Sequence, residues 1–237
     1  MAPIRRKQEA LMFIQPIETT SNQPIANWRD FSPAPFLACA PEVLGTTFSY
    51  DRDEEIYGEG EETQFIYKVV SGVVRTSKLL RDGRRQVGRF YLPGEFFGLE
   101  LGKQHNFTAE AVADSKILLF TRRQIEAMAQ QNQDAARELW IMTADHLRYA
   151  EDHLMLLGRK TALERLASFL LDMDARNGNS GFFELPMSRR DIADYLGLTL
   201  ETVSRGFSEL QKQQLLELAG ARHVALRDRS SLAAMNE

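Results

Sequence analysis

Glycine divides this chain into unlike parts. Between Gly45 and Gly102 it recurs every few residues, from Arg122 to Leu157 it is absent, and from Gly158 onward it returns at scattered positions. Glycine is cheap where a backbone must turn sharply and costly inside a helix. The first part therefore reads as many short strands and the second as a long helix. The strands show in Phe65-Ile66-Tyr67-Lys68-Val69-Val70, in Val73-Val74-Arg75 and in the apolar Ser115 to Phe120. Asp82-Gly83 predicts a hairpin between Val73–Leu80 and Gln86–Tyr91, and Leu92-Pro93-Gly94-Glu95 a further turn. Short strands at even spacing imply a β-roll, barrel or sandwich over 46–121.

Residues 1–45 form a proline-rich arm without periodicity, expected to be largely extended. The glycine-free stretch 122–157 carries two stripes at helical spacing. One holds Met142, His146, Tyr149, His153 and Leu156, the other Trp140, Ala144, Leu147, Glu151 and Leu154. One stripe is expected to pack on its own chain and the other on a partner helix, with Met142, Leu147, Tyr149, Leu154 and Leu156 as dimerisation residues. A single wide face buried within a monomer is the competing reading. A second amphipathic helix runs from Thr161 to Asp174, followed by the loop Asn177-Gly178-Asn179-Ser180-Gly181.

Composition excludes several classes. The net charge of −4 argues against a chain that coats nucleic acid non-specifically. Between Ser188 and Arg229, however, seven Lys or Arg face six Asp or Glu, so that segment is slightly basic. The single Cys39 can form no internal disulfide and cannot hold an iron–sulfur cluster. The apolar run Ala10–Ile14 behind Arg5-Arg6-Lys7 is too short for a signal peptide, and no stretch approaches the length of a membrane helix. A cytoplasmic location is expected, with no membrane partner. No phosphate-binding loop, nucleophile elbow or metal-spaced cluster of His, Cys and Glu occurs, so neither an enzyme nor a metal site is expected.

The segment Ser188 to Arg205 carries the chemistry. Ser188 is placed to cap a helix, with Asp191 three residues on at the positive end of the helix dipole. Gly197 ends that helix where a left-handed residue is needed, and Thr199 caps the next one. Ala193 is small where two helices must cross closely, and Ile192, Leu196, Leu198 and Val203 supply a shared core. This is the plan of a helix-turn-helix, although an ordinary αα-corner shares its geometry. What separates them is the start of the second helix, whose outward residues include Leu200, Glu201, Ser204 and Arg205. A glutamate accepts from cytosine N4, an arginine donates twice to guanine, and a leucine meets a thymine methyl. Downstream, Leu215-Leu216-Glu217-Leu218 and His223-Val224-Ala225-Leu226 flank Ala219-Gly220-Ala221-Arg222 and predict a hairpin wing. Ser188, Arg189, Thr199, Thr202, Arg222 and His223 are expected at phosphates, contacts that position rather than specify. For His223 a solvated turn serves as well.

Asp191 through Arg205 resembles the signature of the CRP/FNR superfamily of bacterial transcription regulators, nearest its FNR branch and the FixK type. Tyr67-Lys68-Val69-Val70-Ser71-Gly72 and Pro93-Gly94-Glu95-Phe96-Phe97-Gly98 extend the resemblance through the roll. It implies an α+β fold: an N-terminal β-roll of the cyclic-nucleotide-binding, jelly-roll kind, a long central dimerisation helix, and a C-terminal winged helix-turn-helix over 158–237. It also implies a homodimer that reads a TTGA…TCAA palindrome through Glu201, Ser204 and Arg205, contacts RNA polymerase and acts as an activator of microaerobic and nitrogen-fixation genes.

Departures from the family bear on its effector. Leu99 stands where cyclic-AMP-binding relatives carry a glutamate for the ribose, and Phe107-Thr108 where they carry Arg-Ser for the phosphate. A phosphate without its arginine is poorly compensated, so the nucleotide pocket is expected to be vestigial. His105, the one histidine of the roll, is expected on a loop surface rather than as a haem ligand. His146 and His153 are assigned ordinary interface or surface roles. No cofactor is expected. The alternatives are an effector-gated regulator whose roll takes an unidentified small ligand and a cyclic-nucleotide module acting by ligand-gated protein contact. Leu99 and Phe107 weigh against the latter. Gly206, inside the second helix, finds no account in the sequence.

Overall fold

The computed structural model describes residues 45–220 and 222–235. The arm through residue 44, with Cys39, lies outside the described residues, as does Ala221. The chain divides into two compact units. The first takes in Phe90–His146 and the described residues up to Thr76; the second takes in Ser77–Arg89 and the described residues from Leu147 onward.

The first unit is built on a β-roll, of which the hairpin end Ser77–Arg89 belongs to the second. Strands β1 (Thr46–Tyr50), β2 (Glu55–Tyr57), β3 (Phe65–Ser71), β4 (Val74–Leu79), β5 (Arg85–Tyr91), β6 (Phe96–Phe97), β7 (Thr108–Ala111) and β8 (Ser115–Thr121) form two four-stranded sheets. Their orders are β1-β8-β3-β6 and β2-β7-β4-β5. Alternation sets the faces: in β8, Ser115, Ile117 and Leu119 are buried while Lys116 is exposed. Tyr57, Tyr67, Tyr91 and Phe97 join Ile56, Val69, Val74 and Ile117 in one buried cluster. Tyr67 and Phe97 stack at 5.0 Å.

His105 departs from the expected loop surface. It is 2% exposed, stacked 3.6 Å from the ring of Tyr57, with Nδ1 3.3 Å from the Glu100 carboxylate. The carboxylate satisfies Nδ1, whereas Nε2 is buried without a hydrogen-bond partner among the described residues; sequence position alone does not reveal this burial. Gly98 is required sterically. Its φ is +75°, and a Cβ there would come 2.7 Å from Tyr67 Cδ2.

The expected helix over 122–157 is two helices, α1 (Arg122–Gln131) and α2 (Gln133–Arg159). The break is Asn132, whose backbone is extended (φ −133°, ψ 114°). Its side-chain oxygen accepts from the amides of Asp134 and Ala135, at 2.9 and 3.2 Å, so it caps α2. Local hydrogen bonding by asparagine competes with helix continuation and wins here.

The second unit holds α3 (Ala162–Arg176), β9 (Phe182–Glu184), α4 (Arg189–Leu196), α5 (Leu200–Lys212), β10 (Leu216–Ala219), β11 (His223–Leu226) and α6 (Arg229–Ala234). The wing strands pair in the order β10-β11-β9. Thr161 and Glu164 close a capping box on α3. Arg165 on α3 donates to the carbonyls of Leu157 (2.8 Å) and Leu196 (3.0 Å), satisfying acceptors near the ends of α2 and α4. Asp174, 1% exposed, accepts from the Gly181 amide at 2.8 Å and pairs with Arg229, which ties the loop before β9 to α6.

Candidate nucleic-acid interface

The helix-turn-helix forms as its residues dictate. The Ser188 hydroxyl accepts from the Asp191 amide, and the Asp191 carboxylate returns a contact to the Ser188 amide. Gly197 is left-handed at φ +62°, ψ 38°. Thr199 accepts from the Thr202 amide at 3.2 Å and starts α5. Ile192, Ala193, Leu196 and Val203 are buried, whereas Leu198 is only half-buried. Gly206 now has a physical account. A Cβ there would meet Leu166 Cδ2 at 2.8 Å, so α5 lies against α3 at a spacing only glycine permits without displacement.

The residues expected to read bases share one exposed face at the start of α5. Leu200 is 37% exposed, and Glu201, Ser204 and Arg205 are exposed. The Glu201 carboxyl is held below its ordinary range by its own backbone amide, by the Thr199 hydroxyl and by the charges of Arg205 and Arg190. It is therefore an ionised acceptor at neutral pH. Arg205 folds along the helix, its Nε 3.4 Å from the Glu201 carbonyl.

The expected phosphate contacts divide. Ser188, Thr199, Arg222 and His223 are exposed and Thr202 is half-buried. His223 stacks on Phe182 at 5.8 Å. Arg189 is placed differently: its guanidinium lies 3.2 Å over the ring of Phe207, and burial pushes its pKa down to about 10. An aromatic face attracts a planar cation, which turns Arg189 into a packing residue. The next residue, Arg190, is exposed and lines a groove of about 750 Å³ with Thr199 and Thr202. The expected site residues omitted it; its position in the first turn of α4 was the available signal.

The opposite wall of that groove is the end of the β4–β5 hairpin, which clusters with this unit. Arg85 donates to Asp194 at 2.8 Å and to Asp191 at 2.5 Å. Gln86 donates to the Tyr195 carbonyl at 3.2 Å. Nothing in the sequence links residues so far apart in the chain.

Along α2 the two stripes separate. Trp140, Leu147 and Leu154 are 75, 61 and 71% exposed, at intervals of seven. Met142 packs against the roll cluster of Ile66, Phe96 and Phe120, and Leu156 is half-buried. The Tyr149 hydroxyl lies 2.7 Å from that of Tyr195, and its ring is covered by Arg89 at 4.1 Å. Met142 and Tyr149 thus serve their own chain, because apolar and aromatic partners lie on their side of the helix. Leu147 and Leu154 are left exposed, as is Trp140. His146 donates to the Phe96 carbonyl (3.0 Å) and His153 to that of Tyr195 (2.9 Å). Both turn inward to backbone acceptors.

Comparison with known proteins places these features. Residues 47–132 match the model of the cyclic nucleotide-binding domain, and residues 164–235 that of the Crp-like helix-turn-helix domain. The nitrogen fixation regulation protein FixK of Azorhizobium caulinodans is 46% identical over 195 residues, covering 80% of this chain and 79% of that one. FixK of Rhizobium meliloti is 43% identical over 192 residues, covering 81% and 85%. The solved structure of FixK2 from Bradyrhizobium japonicum aligns with a TM-score of 0.80 at 54% identity, covering 82% of this chain and 98% of that one.

Proposed function

The chain belongs to the CRP/FNR superfamily of transcription regulators, among its FixK-type members, and we propose that it binds a TTGA…TCAA palindrome as a homodimer without an effector. The observation that carries this reading is the exposed face of Glu201, Ser204 and Arg205, set by the Thr199 cap at the start of α5. Glu201 is the acceptor for a cytosine N4 and Arg205 the fork for a guanine. Ser188, Thr199, Thr202 and Arg222 hold the phosphates around them, with His223 beside the wing turn. The seam Trp140, Leu147 and Leu154 joins two copies, so one two-fold axis relates both reading helices.

Independence from cyclic AMP is supported by the filling of the roll. Tyr57, Tyr67, Tyr91 and Phe97 are all buried in its core. Leu99 packs against the cluster of Ile66 and Phe96, and Thr108 accepts from the Glu59 amide at 3.0 Å. A single cysteine in the sequence leaves no ligand set for an iron–sulfur cluster. Haem is likewise not invoked: His105 is enclosed in the roll, 2% exposed and stacked on Tyr57. Bound at a promoter, the dimer contacts RNA polymerase and activates transcription in the cytoplasm. Among the described residues no helix is long and apolar enough to cross a membrane.

The test is fluorescence anisotropy of a labelled duplex carrying the palindrome. The full chain alone should bind it in preference to a scrambled duplex, with the same affinity when cyclic AMP is added. A requirement for the nucleotide would overturn the effector-free reading.

A further inference from the structure

The end of the β4–β5 hairpin faces the start of the reading helix across the groove of about 750 Å³. Three hydrogen bonds hold it there: Arg85 to Asp194 and Asp191, and Gln86 to the Tyr195 carbonyl. Arg84 precedes these anchors directly, and it lines the groove together with Arg190, Thr199 and Thr202. The Arg84 side chain is 78% exposed and, among the described residues, pairs with Asp82, itself 52% exposed, at 2.7 Å. The acid that lines the groove, Asp194, is paired with Arg85, which it shares with Asp191. Two arginines on facing walls suit a strand of phosphodiesters, which offers successive anionic oxygens to cations on both sides.

We propose that the hairpin is part of the DNA-binding surface and that Arg84 contacts a backbone phosphate across the groove from Arg190. This rests on the DNA-binding reading above and extends it beyond the helix-turn-helix and its wing. The surface ion pair with Asp82 is no obstacle. Exposed pairs of this kind are weak, and a phosphate displaces the carboxylate at little cost. Arg85 acts as a positioning residue, because its two aspartates fix where the hairpin stands.

The experiment measures binding of the full chain to the palindromic duplex and to a scrambled one over a series of salt concentrations. Three variants are compared with wild type: Arg84→Ala, Arg84→Lys and Asp82→Asn. Arg84→Ala should weaken both complexes several-fold and lower the slope of log affinity against log salt by about one unit. Arg84→Lys should restore the slope, and Asp82→Asn should tighten binding by freeing the arginine. Arg84 is exposed, so its loss leaves folding intact, which circular dichroism checks. An unchanged slope with Arg84→Ala would overturn the inference, and so would tighter binding, which would mean that the hairpin shields the site. Wild type that shows no preference for the palindrome would instead sink the underlying reading.

Discussion

Leu166 of α3 fills the space that a side chain at Gly206 of α5 would need: a Cβ on the glycine would stand 2.8 Å from Leu166 Cδ2, and Leu166 is 1% exposed. In an exposed helix, glycine to alanine gains about 1 kcal/mol. Here the gain is spent on moving a buried leucine methyl, so Gly206→Ala should be close to neutral. Gly206→Val adds two methyl groups where one already clashes and should cost about 1–3 kcal/mol. Pairing either change with Leu166→Ala should show coupling, since the two sites share one contact. Urea unfolding of the three single and two double variants measures it; additive effects would mean that the helices are not this close.

The seam on α2 carries a second prediction. Leu147 and Leu154 are 61 and 71% exposed in the single chain, an exposure that a partner helix would relieve. Replacing both with Asp would place charge in that seam and should yield a monomer in sedimentation, with specific DNA binding lost. Tyr149→Phe, which removes only the hydroxyl contact to Tyr195, should leave the dimer intact. Wild type that sediments as a monomer at high concentration and on DNA would refute the seam.

What could be read from sequence follows the range of the interactions. Ser188, Asp191, Gly197 and Thr199 act on residues three or four away, and their caps and turn formed as local chemistry requires. The hairpin at Asp82-Gly83 is local too. The misplacements are all tertiary. His105 lies in a polar stretch, and only the fold brings Tyr57 over its ring. Arg189 looks like a phosphate ligand until Phe207, on another helix, arrives beneath it. Met142 and Tyr149 share a stripe that two surfaces could have used, and periodicity does not say which. The Arg85 link to Asp191 and Asp194 joins segments more than a hundred residues apart. The break at Asn132 is the exception: its cap is local, and a missing glycine was a poor guide to an unbroken helix.

His153 makes stability depend on pH. Burial depresses its pKa below the usual 6.5, and hydrogen bonds to the carbonyls of Tyr195 and Gly88 only partly oppose this. In the unfolded chain the imidazole returns to its ordinary value, so below 6.5 that state binds more protons than the folded one. Stability from this group is therefore complete above about pH 6.5 and is lost as pH falls toward the folded pKa. Melting temperatures measured from pH 7 down to pH 5 should fall, and His153→Gln should flatten that decline. Equal slopes for the two proteins would show that the acid sensitivity lies elsewhere.

Arg205 and Arg222 should fail in different ways. Arg205 stands one turn into α5 on the exposed face with Glu201, where its fork can reach guanine O6 and N7. Arg205→Ala should cost roughly 1–3 kcal/mol against the cognate half-site and relax preference at that guanine alone. Arg222, exposed beside the wing turn, meets phosphate on any sequence. Arg222→Ala should weaken all operators evenly and lower the salt slope by about one unit. The spacing of the site is a matching constraint: two half-sites about 34–36 Å apart fit one dimer, and inserting half a helical turn between them should abolish tight binding. The comparison needs a panel of operators mutated one base pair at a time, read by anisotropy at fixed salt. If both arginine variants give the same profile across that panel, α5 is not reading bases, and the palindrome loses its reader.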